Sequence, residues 1–190
     1  MSRRAATIAF TAAALSLAGA NAVAQDSAVA LAQWEKIYEV FSHPRCANCH
    51  VEDDAPRWSG PHYGATRVHG FAVGRGADGF GNPGQRCTTC HFDTNSSQLH
   101  GPPGAPHWHL APAEMVWFGK SSAEICAQIS DPERNGGRTL QDVAEHVRDD
   151  ALVGWGWNPG PGRESAPGSA EETYEAIVAW SEAGAQCPGK

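Results

Sequence analysis

Methionine is almost missing from this chain: of 190 residues only Met1 and Met115 carry a thioether. Alternation of apolar and polar residues never runs for more than a few positions, which argues against a sandwich or barrel of half-buried strands. Beyond the first two dozen residues there is no long apolar run, so no later segment is expected to span a membrane. Basic residues are outnumbered, 14 against 21 acidic ones, and a chain short of Lys and Arg is poorly suited to a phosphate backbone; no nucleic-acid partner is expected. No repeat longer than a five-residue motif recurs, so a clean tandem duplication is not expected. What is abundant is glycine (21) and proline (13), about a sixth of the chain together, and this predicts extended loops.

The N-terminus sets the compartment. Arg3 and Arg4 precede a small, apolar stretch from Ala5 to Ala20, and Ala22-Val23-Ala24 supplies a cleavage pattern, so residues 1–24 read as a secretory signal peptide. The stretch is Ala-rich and short for a retained anchor. Residues 25–190 then form the mature protein, a length that suits one compact domain in the periplasm. Loss of Arg3 and Arg4, with no acid in residues 1–24, takes the formal charge from −7 to −9.

Two motifs dominate the mature chain: Cys46-Ala47-Asn48-Cys49-His50 and Cys87-Thr88-Thr89-Cys90-His91. Two cysteines three positions apart followed at once by histidine is the attachment pattern of c-type haem. Each thiol forms a thioether to one porphyrin vinyl group, and the adjacent histidine lies beneath the iron as proximal ligand. A structural zinc site needs four ligands together, and a redox dithiol should follow a βαβ pattern; neither explains histidine after both pairs. The expected cofactors are therefore two c-type haems, held by Cys46, Cys49, Cys87 and Cys90, with His50 and His91 on the iron. Both should take the place of part of a side-chain core, so folding is expected to depend on them.

Of six cysteines, Cys126 and Cys187 are left over, and in an oxidising compartment a disulfide between them is the default. Cys126 as a thiolate ligand is the alternative. With Met115 the only methionine of the mature chain, at most one haem has His/Met ligation, and Met115 is the candidate distal ligand of the second haem, its alternative role being core filler. For the first haem the choice falls on His69 in the glycine-rich loop between the motifs. His107 and His109 remain possible, His109 as the competitor of Met115. His43 lies too close to Cys46 to reach around the porphyrin, His146 flanks an apolar helix face, and His62 and His100 complete the set. Arg75 or Arg86 is a candidate partner for a haem propionate.

Helical periodicity places the remaining elements. Asp26 or Ser27 is a candidate N-cap for a helix carrying Val29, Trp34, Ile37, Tyr38 and Phe41 and stopping before Pro44. Ser121 with Glu124 predicts a short helix through Ile129, and Thr139 with Asp142 another with Leu140, Val143, Ala144 and Val147 on one face; both are expected to cover the second haem. Val153 to Pro159 reads as a tight aromatic turn. Ser169 with Glu172 opens a last helix through Ala183, with Gly184 ending it. The fold class expected is all-α: a loop-rich, cytochrome c-like architecture of two intertwined halves with two covalently attached haems. Helices before the first motif and at the C-terminus resemble the arrangement of class I cytochromes c.

Several segments support a closer likeness. The runs Phe41 to His50, Gly104-Ala105-Pro106-His107-Trp108, Asp131-Pro132-Glu133-Arg134-Asn135-Gly136-Gly137-Arg138 and Gly154-Trp155-Gly156-Trp157-Asn158-Pro159 resemble a family of small bacterial diheme proteins labelled isoquinoline 1-oxidoreductase subunit. The resemblance covers most of the mature chain and implies association with a molybdenum hydroxylase as acceptor of its electrons. That family has methionine two residues beyond the position of His69, where this chain has Phe71, which leaves His69 as the coordinating side chain of the loop. The expectation is a periplasmic electron carrier with redox-protein partners, a dehydrogenase as donor and a cytochrome or oxidase as acceptor; the acidic surface suits docking to a basic patch. Electrons are expected to enter at the first haem and leave at the second. The alternative is a diheme enzyme, a peroxidase or sulfur-compound dehydrogenase with one open haem.

Overall fold

The computed structural model describes residues 8–59 and 65–189, with side chains from residue 25 onward. Residues 1–7 of the expected signal peptide, and His62, lie outside the described residues. Those described form a mostly helical, loop-rich domain with six α-helices: α1 Ile8–Phe41, α2 Pro44–Ala47, α3 Ser122–Ile129, α4 Leu140–Asp149, α5 Ala151–Gly154 and α6 Ala170–Glu182. None of them is long and apolar enough to cross a membrane. Four two-residue strands make two antiparallel ladders, β1 Arg57–Trp58 with β2 Arg67–Val68 and β3 Gly81–Asn82 with β4 Gln85–Arg86.

Apolar spacing explains which helices meet. On α1, Ala30, Trp34, Ile37 and Phe41 fall at intervals of four, three and four residues and are all buried. They pack against α6 and α3, where Ala176, Ile177, Trp180, Ile125 and Ile129 are buried in turn. Trp34 and Trp180 meet at 5.1 Å, and the Trp34 indole Nε1–H donates to Ser122 Oγ at 2.8 Å, so its one polar group is satisfied inside the core. Helix α4 lays Val143, Ala144 and Val147 on α6. Cys126, itself fully buried, is bonded to Cys187 with Cα atoms 5.6 Å apart, which ties the tail beyond α6 to α3 and occupies the sulfur that would have served as a thiolate ligand.

The ends of these helices are set by local chemistry. Ser121 and Glu124 form a reciprocal capping box on α3, Thr139 and Asp142 another on α4, and Ser169 caps α6. Gly184, just past α6, takes a φ of +91°, a conformation that a β-carbon would strain. Hydrogen bonds from the Thr139 hydroxyl and amide hold the Asp142 carboxyl below its ordinary range. A carboxyl lowered on folding stabilises the native state above its unfolded pKa and loses that contribution as pH falls through the lower, folded value. Asp142→Asn is accordingly expected to lower the neutral-pH melting temperature and to flatten the further stability loss below about pH 4, as far-UV circular dichroism at several pH values would report.

Three expectations need correction. Asp26 and Ser27 do not cap α1, because the alanine-rich sequence before them continues the helix. Val29 turns outward, 44% exposed, and Ala30 takes its place on the buried stripe. The chain does not divide into two intertwined halves: helices α1, α3, α4 and α6 share one core, and that core includes Ala47 with Cys46 packed against it. Helices α3 and α4 thus build the side of the first motif, whereas the second motif stands among loops. Two haem-sized halves would each need its own apolar helices, and the sequence has apolar stripes for only one set.

Candidate functional site

The first motif is presented by a short helix. Pro44 ends α1 and begins α2, and the His43 ring caps α2 by accepting the Arg45 amide N–H at Nδ1, 3.2 Å. His43 is therefore a capping residue, and burial with the Arg45 charge lowers its pKa. Cys46 lies on α2, with Cys49 and His50 on the turn beyond it. Burial pushes the Cys46 thiol up to about 12 and the Cys49 thiol up to about 11. Reactive dithiols have their pKa lowered, so this pair lacks the electrostatics of a thioredoxin-type centre.

His50 is held from both ends. Its carbonyl accepts the amide N–H groups of Trp117 and Phe118 at 2.9 and 3.0 Å. Its ring Nδ1 lies 3.2 Å from the Met115 carbonyl, so Nδ1 carries the proton and Nε2 presents its lone pair. The Trp117 indole is stacked on the imidazole, centroids 3.5 Å apart and planes 1° apart, and the Phe41 ring lies on the other face of Trp117 at 4.4 Å and 8°. Desolvation in this stack lowers the His50 pKa to about 3, leaving a neutral imidazole, the form that binds a metal.

The second motif repeats this construction with different parts. Cys87 to Thr89 form one turn of 3-10 helix directly after β4. His91 Nδ1 lies 2.8 Å from the Pro103 carbonyl, and the ring is stacked on Trp108 at 4.6 Å and 3°. Burial lowers its pKa as well. Pro103 is positioned by Gly104, where a β-carbon would come within 2.3 Å of the backbone oxygens of Phe92 and Thr94. The Gly104 amide donates to Asn95 Oδ1 at 3.1 Å, and the Trp155 indole donates to the same oxygen at 3.0 Å. Trp155 meets Trp108 edge to face at 4.9 Å, so the aromatic turn after α5 buttresses the indole under His91.

No family model, curated protein or solved structure matches the chain.

The fit of a c-type haem rests accordingly on the geometry. In both motifs the histidine has Nδ1 fixed on a carbonyl and, among the described residues, no partner recorded at Nε2; a hydrogen bond of this kind orients a metal-bound imidazole. All four motif cysteines are free thiols, while the other two cysteines are paired. The Trp117 Nε1–H is buried without a hydrogen-bond partner, a donor suited to a carboxylate on a group bound beside it. Phe71 and Phe92 are 86% and 68% exposed, although apolar rings of this size are normally covered. Among the described residues no three or more His, Cys, Asp or Glu side chains are gathered as a bare-metal site. A haem iron asks for only two.

Placement of the candidate ligands departs from the expectation. Met115 stands at the first motif, not the second: its carbonyl binds the His50 ring and its side chain is buried, with Cε next to Gly136. His69 stands at the second motif, its ring 5.9 Å from that of His91. His109 stacks on Phe80 at 4.6 Å and has Nδ1 2.5 Å from the His107 carbonyl, while His107 is exposed with a φ of +58°. His146 lies 3.4 Å from Asp150 one turn along. The Arg75 guanidinium is buried and donates to the carbonyls of Val51, Asp53 and Ala111; Arg86 makes a forked pair with Asp78. These bonds use both Arg75 Nη atoms, while its buried Nε has no hydrogen-bond partner and lies 3.5 Å from Asp54 Oδ1. Sequence reasoning gave no role to Trp108, Trp117, Pro103 or Asn95; the only hint was that Trp108 and Trp117 both follow the proline-bearing stretch after the second motif.

Proposed function

We propose that this protein is an exported electron carrier, a diheme c-type cytochrome. One observation carries the reading: two motifs unrelated in their surroundings each hold a neutral histidine by Nδ1 on a carbonyl, flat against a tryptophan, with Nε2 free beside two free thiols. Holding an imidazole in one tautomer and one orientation is the requirement of a metal ligand, and a buried structural histidine does not need it twice after Cys-x-x-Cys. Attached through its two thioethers, each haem supplies a reversible one-electron couple at iron.

The chain's own residues do the rest. Cys46, Cys49, Cys87 and Cys90 form the covalent links; Trp117 and Trp108 stiffen the two histidines so that little rearrangement accompanies a change of charge. A short path links the motifs, since Arg57 of β1 donates to the Asn48 carbonyl in the first motif and His69, just beyond β2, lies 5.9 Å from His91 in the second, and proximity of the two sites favours transfer between them. The disulfide agrees with an oxidising compartment. The partners are redox proteins: a dehydrogenase as donor, a molybdenum hydroxylase on the sequence resemblance, and a cytochrome or oxidase as acceptor.

Haem counting tests the reading. Protein exported with the cytochrome c maturation machinery is expected to carry two covalent haems by intact mass and by the pyridine haemochrome spectrum. Cys87→Ser/Cys90→Ser is expected to leave one haem and the helical core intact. Protein that matures without covalent haem would overturn the proposal. Turnover of peroxide or a sulfur anion by the diheme protein would place it among enzymes instead of carriers.

A further inference from the structure

The distance between His69 and His91 identifies a ligand pair. An imidazole nitrogen sits about 2 Å from a bound transition metal, and the ring centre lies roughly 1 Å further, so two imidazoles on opposite sides of one ion have centres about 6 Å apart. The His69 and His91 rings are 5.9 Å apart with planes at 62°. That is too far for stacking and close to the span of one metal ion. Resting on the diheme reading above, we propose that His69 is the distal ligand of the second haem, which is therefore His/His ligated, and not of the first.

Two observations tie the His69 loop to the second motif independently of that distance, and two more show how its ring is presented. His69 follows β2, and its amide donates to the Pro56 carbonyl at 2.9 Å, so the ladder with β1 fixes where the ring starts. Its Nδ1 lies 2.8 Å from the Gly70 carbonyl, which puts the proton on Nδ1 and leaves Nε2 as the free donor atom, the same choice made by His50 and His91. The loop beyond is pinned to the second motif: Gln85 on β4, two residues before Cys87, donates through Nε2 to the Phe71 carbonyl at 2.8 Å. Phe71 and Phe92, each one or two residues from one of the paired histidines, are the exposed rings that a porphyrin lying between His69 and His91 would cover. Met115, the rival for this position, has its carbonyl on the His50 ring and its buried side chain against Gly136.

The assignment removes the reason for placing the higher-potential haem at the second motif. Methionine ligation raises a haem potential and a second histidine does not, so the second haem becomes a low-potential centre. It is also the more exposed one, with Cys90 at the surface.

Proton NMR of the reduced diheme holoprotein tests this. A haem-bound imidazole has its ring protons driven far upfield by the porphyrin ring current. Expected are upfield His69 ring protons with Overhauser contacts to the haem whose thioether bridges belong to Cys87 and Cys90. Contacts to the Cys46 and Cys49 haem, or unshifted His69 protons, would overturn the assignment. In parallel, His69→Ala is expected to keep two covalent haems while converting one low-spin EPR signal of the oxidised protein to a high-spin one. Two unchanged low-spin signals would also overturn it. If the wild-type protein carries fewer than two haems, the diheme reading itself has failed, and the haem count separates that failure from a wrong ligand.

Discussion

Replacing Trp117 by alanine is expected to destabilise the holoprotein by about 3–5 kcal/mol, the usual cost of removing a large buried aromatic from a core that cannot close around the gap. The site explains why closure is poor. Trp117 is the middle of three parallel rings, Phe41 on one face and His50 on the other. Phe41 is fixed at the end of α1, and His50 is fixed by its carbonyl and by Nδ1, so neither can move in to fill the space. The backbone bonds from Trp117 and Phe118 to His50 survive the substitution, which confines the loss to the side chain. Urea unfolding followed by far-UV circular dichroism measures the cost, and an unchanged midpoint would show that the stack contributes nothing.

A second substitution at the same position separates packing from polarity. The Trp117 Nε1–H is buried and has no partner within the chain. Leaving such a donor unsatisfied costs about 1–3 kcal/mol, so in the haem-free chain Trp117→Phe, which keeps a ring in the stack and removes the donor, is expected to lose far less than Trp117→Ala. If, in the holoprotein, the phenylalanine variant is as unstable as the alanine variant, the indole has a partner there, and a haem propionate is the acceptor to seek.

How much of this was legible in the sequence differs by element. Helices α3, α4 and α6 were readable to within a residue because each begins with a short polar side chain three residues before an acid, a local signal that tertiary contacts do not override. The Cys126–Cys187 pairing followed from counting. The start of α1 was not readable, since Asp26 and Ser27 are equally at home as caps and as exposed positions inside an alanine-rich helix. The pairing of ligand residues with motifs was unreadable for a different reason. His69 lies 19 residues after His50 and 22 before His91, so separation along the chain cannot choose between them. The choice is made by two small ladders and the Gln85 to Phe71 hydrogen bond, and such two-residue strands leave no periodic pattern. Trp108 and Trp117 were hidden likewise, because stacking on a histidine distant in sequence is a tertiary fact.

Loss of the Cys126–Cys187 bond is expected to cost about 4 kcal/mol in the chain-entropy treatment, which assigns most of a disulfide's effect to the unfolded chain and scales with the logarithm of the closed loop, here with a sequence separation of 61. Cys187→Ser is the suitable variant: Cys187 lies on the half-buried tail, whereas replacing the fully buried Cys126 would add a packing change. Locally the tail keeps some hold, because the Ala185 amide donates to the Trp180 carbonyl and the Trp180 indole to the Gln186 carbonyl. The native contacts of the tail are therefore expected to persist at room temperature while the unfolding midpoint drops. Haem content provides the decisive comparison. The disulfide joins α3 to the tail beyond α6 and neither of its cysteines belongs to a haem motif, so the variant is expected to retain two haems with unchanged visible spectra. A variant that loses haem instead would mean that the bond acts during maturation, keeping Cys126 and Cys187 from forming disulfides with the four cysteines that must remain thiols until attachment.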